Sequence, residues 1–177
     1  MTLRRPDPKE HDPYYSLYTD KAPKGDILQA MEDEMGVTID LLSDLRQEQE
    51  TFRYAPGKWN LREVVGHLID VEWCFTYRGL CFARTDPASR PGFDQDLWAD
   101  TAKWGDRPLA EVLKVFGEVR RASLAMFRTF DDEEWARSGV ANEVAFTVRS
   151  MPYILVGHEI HHRNVILERY LPTPEAS

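Results

Sequence analysis

The sequence contains no apolar run that approaches the roughly 18–20 residues of a membrane-spanning helix. It also lacks a basic block, because 22 Lys and Arg stand against 30 Asp and Glu and give a net charge of −8, which argues against a nucleic-acid partner. No hydrophobic stretch follows Arg4 and Arg5, so a secretory signal is not expected. With 42% apolar residues in 177, the chain is predicted to be a soluble, cytoplasmic globular protein.

Cysteine is scarce as well. Cys74 and Cys81 lie seven positions apart in what the surrounding pattern predicts to be one helix. At 1.5 Å per residue their Cα atoms are about 10 Å apart, which is too far for a disulfide. Reduced thiols are therefore expected, as in a cytosolic protein.

Apolar residues recur at helical spacing in four long segments. Asp26 is predicted to cap the first, with Gln29 as its capping-box partner, and Asn60 to cap the second, with Glu63. Pro108 suits the first residue of the third helix. The predicted helices cover about residues 26–50, 60–82, 108–130 and, from a start between 147 and 152, the segment up to 171.

The segments between these helices differ in character. Residues 1–24 hold four prolines and three clustered tyrosines, and are predicted to form an extended arm that packs by its tyrosines. Residues 84–107 predict a packed crossover with a short helical turn, and 141–148 a brief strand or extended loop. The fold class predicted is all-α, a four-helix bundle over residues 25–177 with a long crossover between the second and third helices.

The histidines carry most of the chemical information. On a helical wheel of the last segment, His158 and His162 lie at the centre of the buried stripe, and His161 lies at its edge. Two imidazoles four residues apart on one face can bind one metal ion, and His67, on an inward face of the second helix, is the natural third ligand. Three histidines would leave a coordination position open for water or substrate. The alternative is a set of core histidines that are satisfied by hydrogen bonds.

Three further polar residues are candidate catalytic groups, each with an alternative. Asp70, one turn after His67, could orient an imidazole or form an ordinary salt bridge. Glu159 could act as a general base or be a solvated carboxylate. Arg78 could bind an anionic substrate group, although a structural ion pair is favoured. Of the remaining histidines, His161 would bond near the site or face a loop, and His11 is expected at the surface.

Residues 158–162 match the H-E-x-x-H pattern of zinc metalloproteases, in which the glutamate activates water. The context that this motif requires is missing. No histidine follows His162, so the longer metzincin pattern is impossible, and no sheet for holding a peptide is predicted. We therefore do not favour a protease.

Three segments in order, 57–70, 92–98 and 157–163, resemble the DinB-like superfamily, which contains the YfiT-like metal-dependent hydrolases and bacterial thiol transferases. The resemblance covers about residues 25–171. It implies a four-helix bundle, frequent homodimers, and nickel or zinc held by three histidines that fall on His67, His158 and His162. It also implies a transferase of low-molecular-weight thiols such as bacillithiol or mycothiol onto a small-molecule electrophile. The alternatives are a metal-dependent hydrolase on the same residues and a non-catalytic metal-binding or dimerisation bundle.

Two features concern the surroundings of this site. Pro152 and the tyrosine-rich arm are less typical of the superfamily. Val156 and Ile160 lie away from the inner stripe and indicate a second packed face. A dimer partner or a covering segment would explain that face equally.

Overall fold

The computed structural model describes residues 3–171, and four long helices form its bundle. They are α2 (Ile27–Leu42), α4 (Leu61–Ala83), α6 (Leu109–Phe127) and α8 (Ser150–Arg169). The predicted all-α class and four-helix architecture are confirmed. The shorter elements are α1 (Ser16–Thr19), α3 (Gln47–Thr51), α5 (Gln95–Ala102), α7 (Asp132–Ala136), β1 (Ser138–Ala141) and β2 (Val144–Thr147). Within the described range, no helix is both long and apolar enough to cross a membrane.

The helix caps follow the sequence in part. The Asn60 side chain accepts from the backbone N–H of Glu63 at 3.0 Å, and the Glu63 carboxylate accepts from the N–H of Asn60 at 2.7 Å, so this capping box forms as predicted. Asp26 caps α2, but Gln29 is not its capping-box partner, because its amide donates to Asp33 instead. Pro108 is the N-cap residue of α6 and not its first helical residue.

The first helix is shorter than predicted. It ends at Leu42, and Arg46 adopts an extended conformation before the separate helix α3. The break allows the Glu50 carboxylate to accept from the Arg62 guanidinium at 2.6 Å and from the backbone N–H of Leu109 at 3.3 Å. These contacts join α3 to the starts of α4 and α6, which a continuous first helix would not reach.

The crossover and the hairpin complete the bundle. The crossover holds α5 and a 3₁₀ turn at Trp104–Asp106. The segment predicted as a strand or loop is an antiparallel hairpin of β1 and β2, with Ala141 opposite Val144. Asn142 and Glu143, both with positive φ, form its tight turn. Cys74 and Cys81 are free thiols, as predicted.

The arm packs against the bundle, and it is not simply extended. It forms two 3₁₀ turns and α1, and α1 contacts α8. His11 is buried there and its Nε2 lies 3.3 Å from the Thr19 hydroxyl, so the expected surface position of His11 is wrong. The arm packs against α8, and Val156 and Ile160 belong to the same apolar cluster as the arm residues Tyr15 and Tyr18. This packing within one chain favours a covering segment as the explanation of that face, and the homodimer stays a prediction.

A buried ion network of Thr38, Glu72, Arg120 and Glu159 joins all four bundle helices. The Arg120 guanidinium donates to Glu72 at 2.7 Å and to Glu159 at 2.8 Å, and it also donates to the backbone carbonyl of Met31 at 2.9 Å. Thr38 donates to the other oxygen of Glu159 at 2.6 Å. Burial alone would lower the pKa of Arg120, but the two carboxylates outweigh it and raise that pKa. Arg120 is therefore a permanent cation at the centre of the bundle.

Removing this cation should strongly destabilise the fold. Arg120→Met leaves the Glu72 and Glu159 carboxylates buried without their partner, so we expect the free energy of unfolding to fall by about 3–5 kcal/mol. Arg128→Met removes an exposed pair with Glu32 and should cost about 1 kcal/mol or less. Urea unfolding of both variants measures the difference. Equal losses would show that the buried ion network does not stabilise the bundle.

Candidate metal centre

Three imidazoles from two helices converge inside the bundle. His67 on α4 and His158 and His162 on α8 form a histidine cluster whose ligand nitrogens all lie within 4.8 Å of one another. The Nε2 atom of His158 lies 3.2 Å from that of His67 and 3.0 Å from that of His162. His67 and His158 are buried, and His162 is partly buried. The structure thus brings together the three histidines selected from the sequence.

Hydrogen bonds alone do not satisfy this cluster. Each Nε2 carries either one proton or one lone pair, so it makes one in-line hydrogen bond. The Nε2 atom of His158 faces two neighbouring Nε2 atoms at hydrogen-bonding distance and can serve only one of them. Imidazole nitrogens bound at about 2.1 Å to a tetrahedral cation lie about 3.4 Å apart, which is close to the observed separations. The residues present therefore fit a shared cation.

The protonation state of the three imidazoles suits the binding of a cation. Burial lowers the pKa of His67 to about 4, and burial together with the neighbouring imidazoles lowers that of His162 to about 3. Burial and the neighbouring imidazoles hold the pKa of His158 well below its usual value. All three rings are therefore neutral at pH 7, and neutral imidazole is the form that binds metal.

A glycine precedes each of the two buried histidines and allows another segment to pass close to the helix. A Cβ at Gly66 would lie 2.2 Å from the Trp104 ring, and a Cβ at Gly157 would lie 1.8 Å from the backbone carbonyl oxygen of Tyr18. The crossover thereby contacts α4 beside His67, and the arm contacts α8 beside His158. The Tyr18 ring packs edge-on to His158, with 5.1 Å between ring centroids.

The cluster lies at the boundary of a cavity of about 490 Å³. His67 and His158 are in its wall, together with arm tyrosines, Phe93 of the crossover and Asn142 of the hairpin turn. A second cavity of about 290 Å³ is lined by His162 and Trp59. A small molecule could therefore approach the histidines without rearrangement of the bundle.

The structure separates the other candidate residues from the cluster. Asp70 accepts from the Trp104 indole at 3.2 Å, and burial raises its pKa; within residues 3–171 it makes no hydrogen bond to an imidazole. Glu159 is 1% exposed and bound to Arg120 and Thr38, so the solvated alternative is wrong. The ion pair favoured for Arg78 is absent from the described part of the chain. His161 packs against the Tyr18 ring at the edge of the cluster.

Several residues around the site were not identified from the sequence. Tyr18, Trp59 and Trp104 surround the histidines, and Arg120 holds Glu159, which directly follows His158. The repeated Gly-His pair, at 66–67 and 157–158, was an available signal, since an isolated glycine inside a helical pattern is unfavourable there and can have a packing or functional reason.

The fold and the site together define a class of protein. It is a four-helix bundle with a long crossover and a covering arm, and its second and fourth bundle helices carry three inward histidines. The family model of the DinB superfamily matches residues 30–166, and the chain belongs to this superfamily. A curated relative, "Putative metal-dependent hydrolase OB0413" from Oceanobacillus iheyensis, is 27% identical over 135 residues, 73% of each protein.

The fold is also that of a solved structure. YfiT from Bacillus subtilis, described as a probable metal-dependent hydrolase with an unusual four-helix bundle topology, superposes with a TM-score of 0.69 at 20% sequence identity. The match covers 81% of each chain. At this identity the likeness shows the shared bundle topology.

Gly157 provides a test of how the arm is held over the histidines. In Gly157→Ala the new methyl group meets a backbone oxygen, so we expect a loss of about 1–3 kcal/mol in the free energy of unfolding and faster hydrogen exchange in residues 3–24. Gly36→Ala is the matched control, because nothing lies within 4 Å of its Cβ and alanine favours the helix by about 0.5–1 kcal/mol. Unchanged exchange in the arm of Gly157→Ala would contradict this role.

Proposed function

We propose that this protein is a divalent-metal-dependent thiol S-transferase in which His67, His158 and His162 hold the cation. The observation that carries the proposal is the convergence of three neutral Nε2 atoms that hydrogen bonds cannot satisfy together. A bound divalent cation, nickel or zinc by family resemblance, would lower the pKa of a coordinated thiol or water and supply a nucleophile at neutral pH.

The surrounding side chains favour a thiol as the nucleophile. A thiol has an ordinary pKa near 8.5 and water one near 15.7, so water requires much more help with its proton. Glu159 and Asp70 are the carboxylates nearest in sequence to the histidines, and both are engaged elsewhere. With no carboxylate base bonded to the cluster among residues 3–171, the more acidic nucleophile is favoured.

In the proposed reaction the thiol loses its proton to solvent and its sulfur forms a bond to an electrophilic carbon of a small molecule, while the bond from that carbon to the leaving group breaks and the leaving group keeps the electron pair. The chain's residues would bind and shield these partners. The cavity of about 490 Å³ provides the space, and Tyr18 and Phe93 contribute aromatic walls that exclude water. The predicted cytoplasmic location and homodimer remain predictions.

A second function, hydrolysis on the same residues, is favoured by the names of the relatives. The relative is named "Putative metal-dependent hydrolase OB0413", and YfiT is described as "a probable metal-dependent hydrolase". Hydrolysis, like thiol transfer, needs an open coordination position on the metal. The two reactions differ in the nucleophile, which is water in hydrolysis and a thiol in the transfer.

The ligand set is tested by metal analysis. Replacing His67, His158 or His162 with Ala should reduce bound metal from about one equivalent to a small fraction, because two imidazoles hold a cation much less tightly than three. His161→Ala is the matched control from the same helix and should retain the metal. Elemental analysis of protein purified without added metal or affinity tag measures this. Equal loss in all four variants would reject the assignment.

The nucleophile is tested by comparing two reactions of the metal-loaded protein. We expect conjugation of monochlorobimane to bacillithiol, mycothiol or cysteine at a rate that saturates with thiol and falls more than about 100-fold in His158→Ala. Hydrolysis of 4-nitrophenyl acetate without a thiol should stay near the uncatalysed rate. Metal-dependent hydrolysis without thiol-dependent conjugation would support the hydrolase and overturn the transferase.

A further inference from the structure

Two arginines are buried among residues 3–171, and they differ in how their charge is balanced. Arg120 is 1% exposed and is paired with two carboxylates. Arg78 on α4 is 4% exposed, and no carboxylate of the described chain lies within 4.0 Å of its nitrogens. A buried cation without an anion beside it is unfavourable. Arg78 therefore lacks the anionic partner that Arg120 has.

The contacts of Arg78 hold its guanidinium in place without neutralising it. Nη2 donates to the backbone carbonyl of Pro91 at 2.8 Å, and the guanidinium carbon lies 5.1 Å from the centre of the Phe75 ring and 6.0 Å from that of Phe93. The two rings stabilise the cation and fix its plane. A guanidinium has five N–H donors, and the side-chain hydrogen bonds of the described residues use one of them.

Arg78 lies in the wall of the same cavity as two of the histidines. Arg78, His67 and His158 all line the space of about 490 Å³. His67 and Arg78 are eleven residues apart on α4, so they share one helix face and their Cα atoms are about 16 Å apart along its axis. The cavity wall therefore carries neutral imidazoles and, further along the same helix face, a guanidinium with no carboxylate within 4.0 Å.

We propose that Arg78 is the anion-binding end of this cavity and holds a carboxylate of an elongated small substrate whose reacting group lies at the histidine cluster. The proposal rests on the proposed function and names its substrate class. A planar guanidinium that presents several donors matches a carboxylate in a bidentate pair. The aromatic side chains between the two ends would contact an apolar middle section of the substrate.

The charge of the cavity wall favours a carboxylate over a phosphate. Asp12 of the arm also lines the cavity, where its carboxylate accepts the backbone N–H of Tyr14 at 2.9 Å. This negative charge would repel a doubly charged phosphate more than a singly charged carboxylate. Arg78 and Asp12 together therefore suit a substrate with one negative charge.

Binding of simple probes tests this subsite separately from metal and turnover. The full-length protein, as purified and after chelation, is titrated by calorimetry with 5-phenylpentanoate, 5-phenylpentanamide and 4-phenylbutyl phosphate. We expect the carboxylate to bind at least about tenfold more tightly than the amide and more tightly than the phosphate, in both preparations. Persistence after chelation separates Arg78 from a carboxylate bound to a cation.

Variants then assign the preference to the side chain. Arg78→Met should reduce the carboxylate-to-amide ratio below about twofold, and Arg78→Lys should retain part of it, with circular dichroism verifying the fold. Arg128→Met, an exposed arginine, is the matched control and should keep the full ratio. Equal binding of carboxylate and amide by the wild-type protein, or no binding of either, overturns the subsite even if the variants misfold. Retention of metal in the histidine variants, or no thiol-dependent conjugation by the metal-loaded protein, together with an intact carboxylate preference overturns the proposed function and leaves the subsite standing.

Discussion

A guanidinium buried among four helices requires carboxylates beside it, and the pairing of Arg120 with Glu72 and Glu159 is the constraint on which the bundle depends. It also determines the direction of the site. Successive residues of a helix are about 100° apart, so once Glu159 points towards Arg120, the preceding His158 must point to a different side, towards α4. There it meets His67. The ion pair that holds the helices together therefore also sets the rotation of α8 that brings two of its histidines to a third.

The bundle supplies the histidines, and the irregular segments supply the walls around them. The crossover reaches α4 at Gly66, and the arm reaches α8 at Gly157, each directly before a histidine. Larger residues at either position would push these segments outwards and open the cluster to solvent. This division separates two properties: cation binding depends on the rotation of α4 and α8, whereas the shape and polarity of the cavity depend on the arm, the crossover and the hairpin turn. Changes in those segments can alter the substrate without disturbing the histidines.

How far the sequence predicts the structure depends on the range of each interaction. Helical periodicity and the capping box of Asn60 are local, and both are confirmed. The spacing of His158 and His162 is local too, and it places them together. The ion network is not local. Arg120 pairs with Glu72, which lies 48 positions earlier in the chain, and with Glu159, which lies 39 positions later, and no pattern within one helix reveals such a partner. For the same reason the ion pair of Glu159 was not among the alternatives predicted for it, a general base or a solvated carboxylate, and His11 was expected at the surface. The break of the first helix after Leu42 likewise depends on distant partners of Glu50.

The distribution of charge ties the proposed site to its substrate. The chain has a net charge of −8, yet the cavity of about 490 Å³ is lined by one guanidinium, one carboxylate and two neutral imidazoles, and a divalent cation bound at the histidines would make that interior positive. Surface charges are screened over about 8 Å at physiological ionic strength, so the acidic exterior hardly opposes a ligand that has entered the cavity. Inside, where screening is weak, the positive groups select for anions. An acidic protein with a positive interior gains little from long-range attraction of its ligand. It would instead select among small molecules by whether one negative charge lies at the right distance from the reacting group.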